Sequence, residues 1–441
     1  MKETQMRFWS GLDTIGGNIV EICYGNDRVI FDFGRAYDPA DTLLAKAKGR
    51  DGRRVADMLR LKMIPAMDGI YSREDLAADT LALVAAEDSD KNTAVFISHL
   101  HLDHMGAIDV LSPKIPVYMS ADGAALYQAL TAIGEGPFCH TVRGFAYEEP
   151  VRIGDIAVTG YATDHDVFGS CALLVETPDK RIAFSGDIRM HGRRPELNRH
   201  WIAAMRAKNP DYLLMEGTTF WPPKSTDSED NKFVQLEEGV VAAVIGEKIA
   251  AAEGVAFFNF YHRNLERMEG LIAAAKTAGR HIVFEPATAY LASVFFPDAS
   301  FKILKTEENA PWAQDLYLRY PQVTVGEINE NPRGYFVQNS FDHIFTLIDY
   351  VPAGSVYIHT NGVPLGAFDP AFGSMQAFLK TLGIAFETVT SSGHGDVAAI
   401  LDIVDGIKPK VLMPWHSTTP QQMVPLDPMQ TVVLPEIGKW Y

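Results

Sequence analysis

The stretch Ser98-His99-Leu100-His101-Leu102-Asp103-His104 gathers three imidazoles and a carboxylate into six consecutive positions. Imidazole nitrogen and carboxylate oxygen are the donors that zinc and similar divalent ions take. The apolar run just before it, Ala94-Val95-Phe96-Ile97, reads as a buried strand. Alternate residues of an extended chain point the same way, so His99 and His101 can share one ion. Asp103 and His104 fall one turn further on and can face a second. In two-metal hydrolytic sites the ions lie ~3.5–4 Å apart, and a bound cation can draw the pKa of water from ~15.7 towards ~7. A hydroxide bridging the metals is therefore the expected nucleophile, and no serine or cysteine triad competes for that role. A solvated histidine-rich turn is the plain alternative. The strand before the cluster and the ordered donors after it argue against that.

Other elements must bring further donors to this cluster. Asn18–Ile22 and Arg28–Asp32 read as a hairpin around Gly25-Asn26-Asp27. Ile156–Tyr161 is a strand that delivers Asp164-His165-Asp166. The strands Cys171–Val175 and Arg181–Phe184, joined at Pro178-Asp179, deliver Ser185-Gly186-Asp187. Asp211–Met215 runs into Glu216-Gly217-Thr218-Thr219, and Lys408–Trp415 into His416. Val117–Met119 is a strand candidate and Ala121–Ile133 a helix. Residues 40–92 form a polar, partly helical excursion. Its basic cluster Lys46, Lys48, Arg50, Arg53, Arg54, Arg60 and Lys62 reads as a solvated face.

The pattern H-x-H-x-D-H resembles the signature of the metallo-β-lactamase superfamily. That resemblance implies a later histidine, a bridging aspartate and a closing histidine, each after a strand. His165, Asp187 and His416 stand in that order. It assigns His99, His101 and His165 to one ion, and Asp103, His104 and His416 to the other, with Asp187 shared. Asp32 is a supporting residue behind the metal loop on this reading, or else an ordinary turn aspartate; buried at a strand end it needs a partner. The implied ions are two divalent metals, zinc first and manganese next.

Glu216-Gly217-Thr218 resembles the first extra motif of the β-CASP branch, the nucleic-acid-processing members that include ribonuclease J. Ser391-Ser392-Gly393-His394 is similar to the second, with His394 as its key residue, and His416 to the third. Asn259 through Arg263 to Arg280, and His359 through Gly366, resemble the domain inserted in that branch. Asp187 and His416 are 229 positions apart, far more than one connection needs. The expected architecture is α/β: an αββα metallo-β-lactamase sandwich from residues 1–219 and 386–441, with a β-CASP-like domain over 220–385. Pro222–Asp230 reads as the linker into it. The resemblance implies that His394 stabilises the scissile phosphate or protonates the leaving oxygen and that Glu216 orients its neighbours. Asp103 counts with them as catalytic. Ser391 and Ser392, at a helix N-terminus, are a candidate phosphate cradle, and Arg263 a candidate backbone contact or a surface ion pair. Two features depart from ribonuclease J. No Thr-Gly-x-x-Gly-Glu stretch occurs between Asn331 and Phe345, and the sequence ends soon after His416.

Length and composition bound the rest. The 441 residues, 47% hydrophobic, suffice for two cores. Three separated cysteines (Cys23, Cys139, Cys171) fit a reducing cytoplasm better than a disulfide framework. No signal-peptide pattern or membrane-length apolar run is read. The net charge of −17 is unlike the basic balance of most nucleic-acid binders, although bound cations offset charge locally. The expected function is a binuclear, metal-dependent phosphodiester hydrolase acting on RNA, exo or endo, with a homo-oligomer allowed. The alternatives are a small-molecule metallo-hydrolase for a lactone or phosphoester, and a non-enzymatic scaffold in an RNA-processing complex.

Overall fold

In a computed structural model, which describes residues 2–36, 49–78, 81–220 and 236–441, the chain builds three sheets. The first holds six strands in chain order: Thr4–Ser10, Ile19–Tyr24, Asp27–Phe31, Asn92–Phe96, Val117–Ser120 and Val142–Phe145. The second runs, from edge to edge, Thr431–Val432, Val411–Trp415, Tyr212–Glu216, Arg181–Phe184, Cys171–Glu176, Ile156–Ala162 and Val151–Ile153. Successive side chains of a strand face opposite sides, and both sides are used. Leu173 and Val175 pack with Phe31, Phe96, Phe184 and Trp415 between the two sheets. Ala172 and Leu174 pack outward against Trp201 and Met205 of the helix Pro195–Lys208 and Ile400 and Val404 of the helix Val397–Ile407. The first sheet is covered from outside by the helix Ala121–Ala132 through Leu126 and Leu130. These are the four layers of an αββα sandwich.

The third sheet is parallel throughout. Its order is Gln322–Val323, Lys302–Leu304, His281–Phe284, Tyr335–Gln338, Ala256–Phe260, Val356–Thr360 and Ala385–Thr388. Parallel strands need crossovers, so both faces carry helices and the strands read as continuous apolar runs. Phe258 and Phe260 meet Ile245 and Met268 on one face, and Phe257 meets Met375 and Leu379 on the other. The division expected between 385 and 386 falls inside the edge strand Ala385–Thr388. Among the described residues no helix is long and apolar enough to cross a membrane. The linker read at Pro222–Asp230, and Lys46 and Lys48 of the basic cluster, lie outside the described residues.

A buried ionic hub joins the third sheet's helices to the sandwich. Arg189, two residues past Asp187, sends Nε to Asp164 Oδ1 (2.9 Å), Nη1 to Glu238 Oε2 (3.0 Å) and Nη2 to Glu266 Oε2 (3.3 Å). Arg267 grips both oxygens of Glu238 at 2.7 Å. Glu238 opens the helix Glu238–Ala251, and Glu266 and Arg267 lie on Leu265–Thr277. Removing one member leaves buried charge uncompensated. Glu238→Ala is expected to lower stability by about 3–5 kcal/mol, read as an earlier urea midpoint with CD.

Candidate metal centre

The donors come from strand ends. His99 follows Asn92–Phe96, His165 follows Ile156–Ala162, Asp187 follows Arg181–Phe184, and His416 follows Val411–Trp415. Strands of both sandwich sheets therefore end at one place. His101 is the extended N-cap of the short helix Leu102–Met105, which carries Asp103 and His104. Asp32 and His416 both stand in left-handed backbone (φ 54° and 51°). Such strain costs ~1–3 kcal/mol and persists where the surroundings over-determine it.

Two groups of donors result. His99, His101, His165 and Asp187 have ligand atoms all within 4.8 Å of one another, and so do Asp103, His104, Asp187 and His416. In the first, His99 Nε2 and His165 Nε2 each lie 3.2 Å from His101 Nδ1, and His99 Nε2 lies 3.6 Å from Asp187 Oδ2. In the second, Asp187 Oδ2 is 3.1 Å from His104 Nε2, and Asp103 Oδ2 is 3.1 Å from His416 Nε2. Donors bonded to zinc at ~2.0–2.1 Å in tetrahedral geometry lie about 3.3 Å apart, so the spacing fits. The buried Asp187 Oδ1 accepts no hydrogen bond from the described residues, as an oxygen kept for a cation would. Burial, with the neighbouring His104, pushes His99 well below the usual imidazole range, and burial takes His101 down to about 4. Both are thus neutral and have lone pairs to give at neutral pH. Burial raises the Asp187 carboxyl, but His104, His416 and His394 outweigh it and hold it well below the usual range.

In four of the five imidazoles, the nitrogen that faces the donor groups is set by the bond the ring makes on its other side. His99 Nδ1 meets Ser98 Oγ at 3.0 Å, and His165 Nδ1 donates to the Gly393 carbonyl at 2.6 Å. His416 Nδ1 donates to Thr218 Oγ1 at 2.7 Å. His104 Nδ1 donates to Asp32 Oδ2 at 2.7 Å, while Asp32 Oδ1 accepts the Ser98 N–H. Asp32 thus holds the loop of His99–His104 from behind. Asp32→Ala is expected to weaken metal binding ~10–100-fold, measured by competition with a chromogenic chelator.

Asp187, Glu216 and His394 form a third group. His394 Nδ1 is 3.2 Å from both Glu216 oxygens and 3.8 Å from Asp187 Oδ2. Glu216 is fixed in turn by the N–H groups of Ile188 and Thr218, each at 3.1 Å. Burial alone would lower His394, but Glu216 and Asp187 hold it up at about 10. Its side chain is 21% exposed, so the ring reaches the cleft.

Two sequence expectations need correction. Ser391 and Ser392 are not at a helix N-terminus: the helix starts at Val397, and the Asp396 carboxylate caps it by accepting the Ala399 N–H. Ser391 is fully buried, and Ser392 Oγ accepts the His394 N–H at 3.0 Å. The serines shape the turn that presents His394. Arg263 is neither a surface ion pair nor an exposed contact. It is 4% exposed, and its guanidinium donates to the Leu100 carbonyl between His99 and His101. The segment after the third sheet's strand Ala256–Phe260 thereby braces the loop of His99 and His101. Ser98, Asp166 and Thr218 were missed, although each stands within two residues of a residue singled out.

Residues 72–286 match the family model described as a beta-lactamase superfamily domain. The chain is 22% identical over 352 residues to ribonuclease J of Mycolicibacterium smegmatis, covering 75% of this chain and 59% of that protein. It is 23% identical over 289 residues to ribonuclease J of Pyrococcus abyssi, covering 62% and 57%. With ribonuclease J of Sinorhizobium meliloti it shares 23% over 232 residues, covering 50% and 37%. The chain thus spans between about a third and three-fifths of these relatives' length. A protein of unknown function from Enterococcus faecalis has the same fold from end to end, with TM-score 0.82, 26% identity and both chains covered in full. The fold and the donor set, with these matches, point to the metallo-β-lactamase superfamily, a hydrolase class that works with divalent metal ions. Within it the matched relatives point to the ribonuclease J-like, β-CASP kind.

Proposed function

We propose that the protein is a metal-dependent phosphodiesterase acting on RNA. His99, His101 and His165 hold one divalent ion, Asp103, His104 and His416 a second, and Asp187 serves both. Residues 220–385 are read as an inserted domain, whose Arg263 reaches the loop of His99 and His101. Zinc suits the donors, and manganese is the alternative metal. When bound, the two ions supply an activated water and neutralise charge on the phosphate.

The observation that carries the reading is His394. Its Nδ1 is held by Glu216, and its Nε2 makes no hydrogen bond among the described residues. A charged imidazole standing over the shared carboxylate stabilises negative charge on a phosphate oxygen, or gives its Nε2 proton to the leaving oxygen. Glu216 keeps the ring turned and charged. The buried Arg263 and Asp32 stiffen the metal loop, so the donors are arranged before substrate arrives. Similarity to ribonuclease J supports RNA as the substrate class. We place the protein in the cytoplasm and leave its assembly open to a homo-oligomer.

The net charge of −17 favours a second reading, a small-molecule lactone or phosphoester hydrolase on the same centre. Incubating zinc-loaded protein with labelled single-stranded RNA, its DNA equivalent and a panel of lactones and phosphoesters separates the two. RNA cleavage absent from the His394→Ala variant is the expected result. Turnover of the small molecules alone would replace the first reading by the second.

A further inference from the structure

Among the five imidazoles that face the two groups, four have a hydrogen-bond partner on the far side of the ring: Ser98 for His99, Asp32 for His104, the Gly393 carbonyl for His165 and Thr218 for His416. His101 is the exception. Its Nδ1 faces His99 Nε2 and His165 Nε2, so its Nε2 carries the proton and points away. The carboxylate in front of that nitrogen is Asp166, with Oδ1 3.6 Å away. This oxygen is buried and accepts no hydrogen bond from the described residues. It also lies 3.2 Å from His165 Nε2, but the Nδ1 proton of His165 is already given to Gly393, so Nε2 has only a lone pair. Among the described residues, the proton that this oxygen faces is therefore that of His101. The pocket is cut to this carboxylate: a Cβ on Gly393 would fall 2.5 Å from Asp166 Oδ1 and 2.8 Å from His165 Cε1.

We infer that Asp166 is the positioning residue of His101, accepting its Nε2–H when an ion takes the Nδ1 lone pair, and so completing the first metal group. The inference rests on the reading of that group as a metal site. The contact needs to close by only about 0.6 Å to reach an N–H···O bond of ~3.0 Å. A carboxylate in this place raises the basicity of the ligand and fixes its tautomer.

The test is metal binding, with no turnover involved. Cobalt(II) is titrated into the parent chain and into Asp166→Ala, Asp166→Asn and Asp166→Glu, each checked for unchanged far-UV CD. The exchangeable ring N–H resonances of the cobalt-bound histidines are recorded by NMR. In the parent, the His101 N–H is expected to be visible and slow to exchange. In Asp166→Ala it should be lost, and the affinity of one of the two ions should fall ~10–100-fold, the other staying put. Asparagine, which still accepts, should restore the resonance with weaker binding. If the parent takes up no cobalt, the metal reading itself fails. If the parent binds two ions and Asp166→Ala keeps both affinities and every N–H signal, Asp166 has no such role.

Discussion

Asp187→Asn is expected to lose both ions together, with affinity falling by more than the ~100-fold that a change behind the ligands can cost. One oxygen of Asp187 lies 3.1 Å from His104 Nε2, 3.6 Å from His99 Nε2, and 3.9 Å and 4.0 Å from His416 and His165 Nε2. No other carboxylate is common to both groups of donors. The amide keeps the shape but gives up the negative charge that the flanking imidazoles favour. Metal analysis after dialysis is the check, and cleavage should vanish in step with metal content. A variant that kept two ions per chain would remove Asp187 as the shared ligand.

His394→Ala should separate what Asp187→Asn couples. The ring is outside both four-donor groups, so metal content should be unchanged while RNA cleavage falls ~10²–10⁴-fold. Its charge also sets a pH signature. His394 is held at about 10 by Glu216 and Asp187 against burial, so the acid form prevails at neutral pH and is lost as pH rises through that value. Cations bound at Asp187 cancel part of its pull, so the alkaline limb of the loaded enzyme should lie below about 10. Glu216→Gln removes the stronger pull and should move the limb lower still. A pH–rate profile whose alkaline limb is the same in Glu216→Gln as in the parent would sever this link.

The clustered donors were legible because their signal is local: three histidines and an aspartate crowd the end of one apolar strand. His165, Asp187 and His416 are short motifs that gained meaning only as an ordered set of strand ends. What failed to show in the sequence depends on distant packing. Arg263 looks like a surface cation until Leu100, 163 positions earlier, is placed against it. Ser391 and Ser392 looked like a helix entrance because the glycine between them and His394 hid a longer turn capped by Asp396. Asp166 shows its role only beside His101. The helices Pro195–Lys208, Pro286–Phe295 and Pro370–Leu382 were passed over, yet each opens on a proline at the first helical position, a usable signal. The N-terminal strand Thr4–Ser10 hid in a segment read only for targeting; it pairs antiparallel with Ile19–Tyr24.

The most direct measurement follows cleavage of a labelled single-stranded RNA while ions are returned to the chelator-stripped protein. Bound metal per chain is determined at each step. Cleavage should be absent from the stripped chain, rise with loading and level off at two ions per chain, the product ladder separating exo from endo action. An RNA left uncut at two ions per chain, or cut equally well by the stripped protein, would contradict a two-metal ribonuclease centred on Asp187.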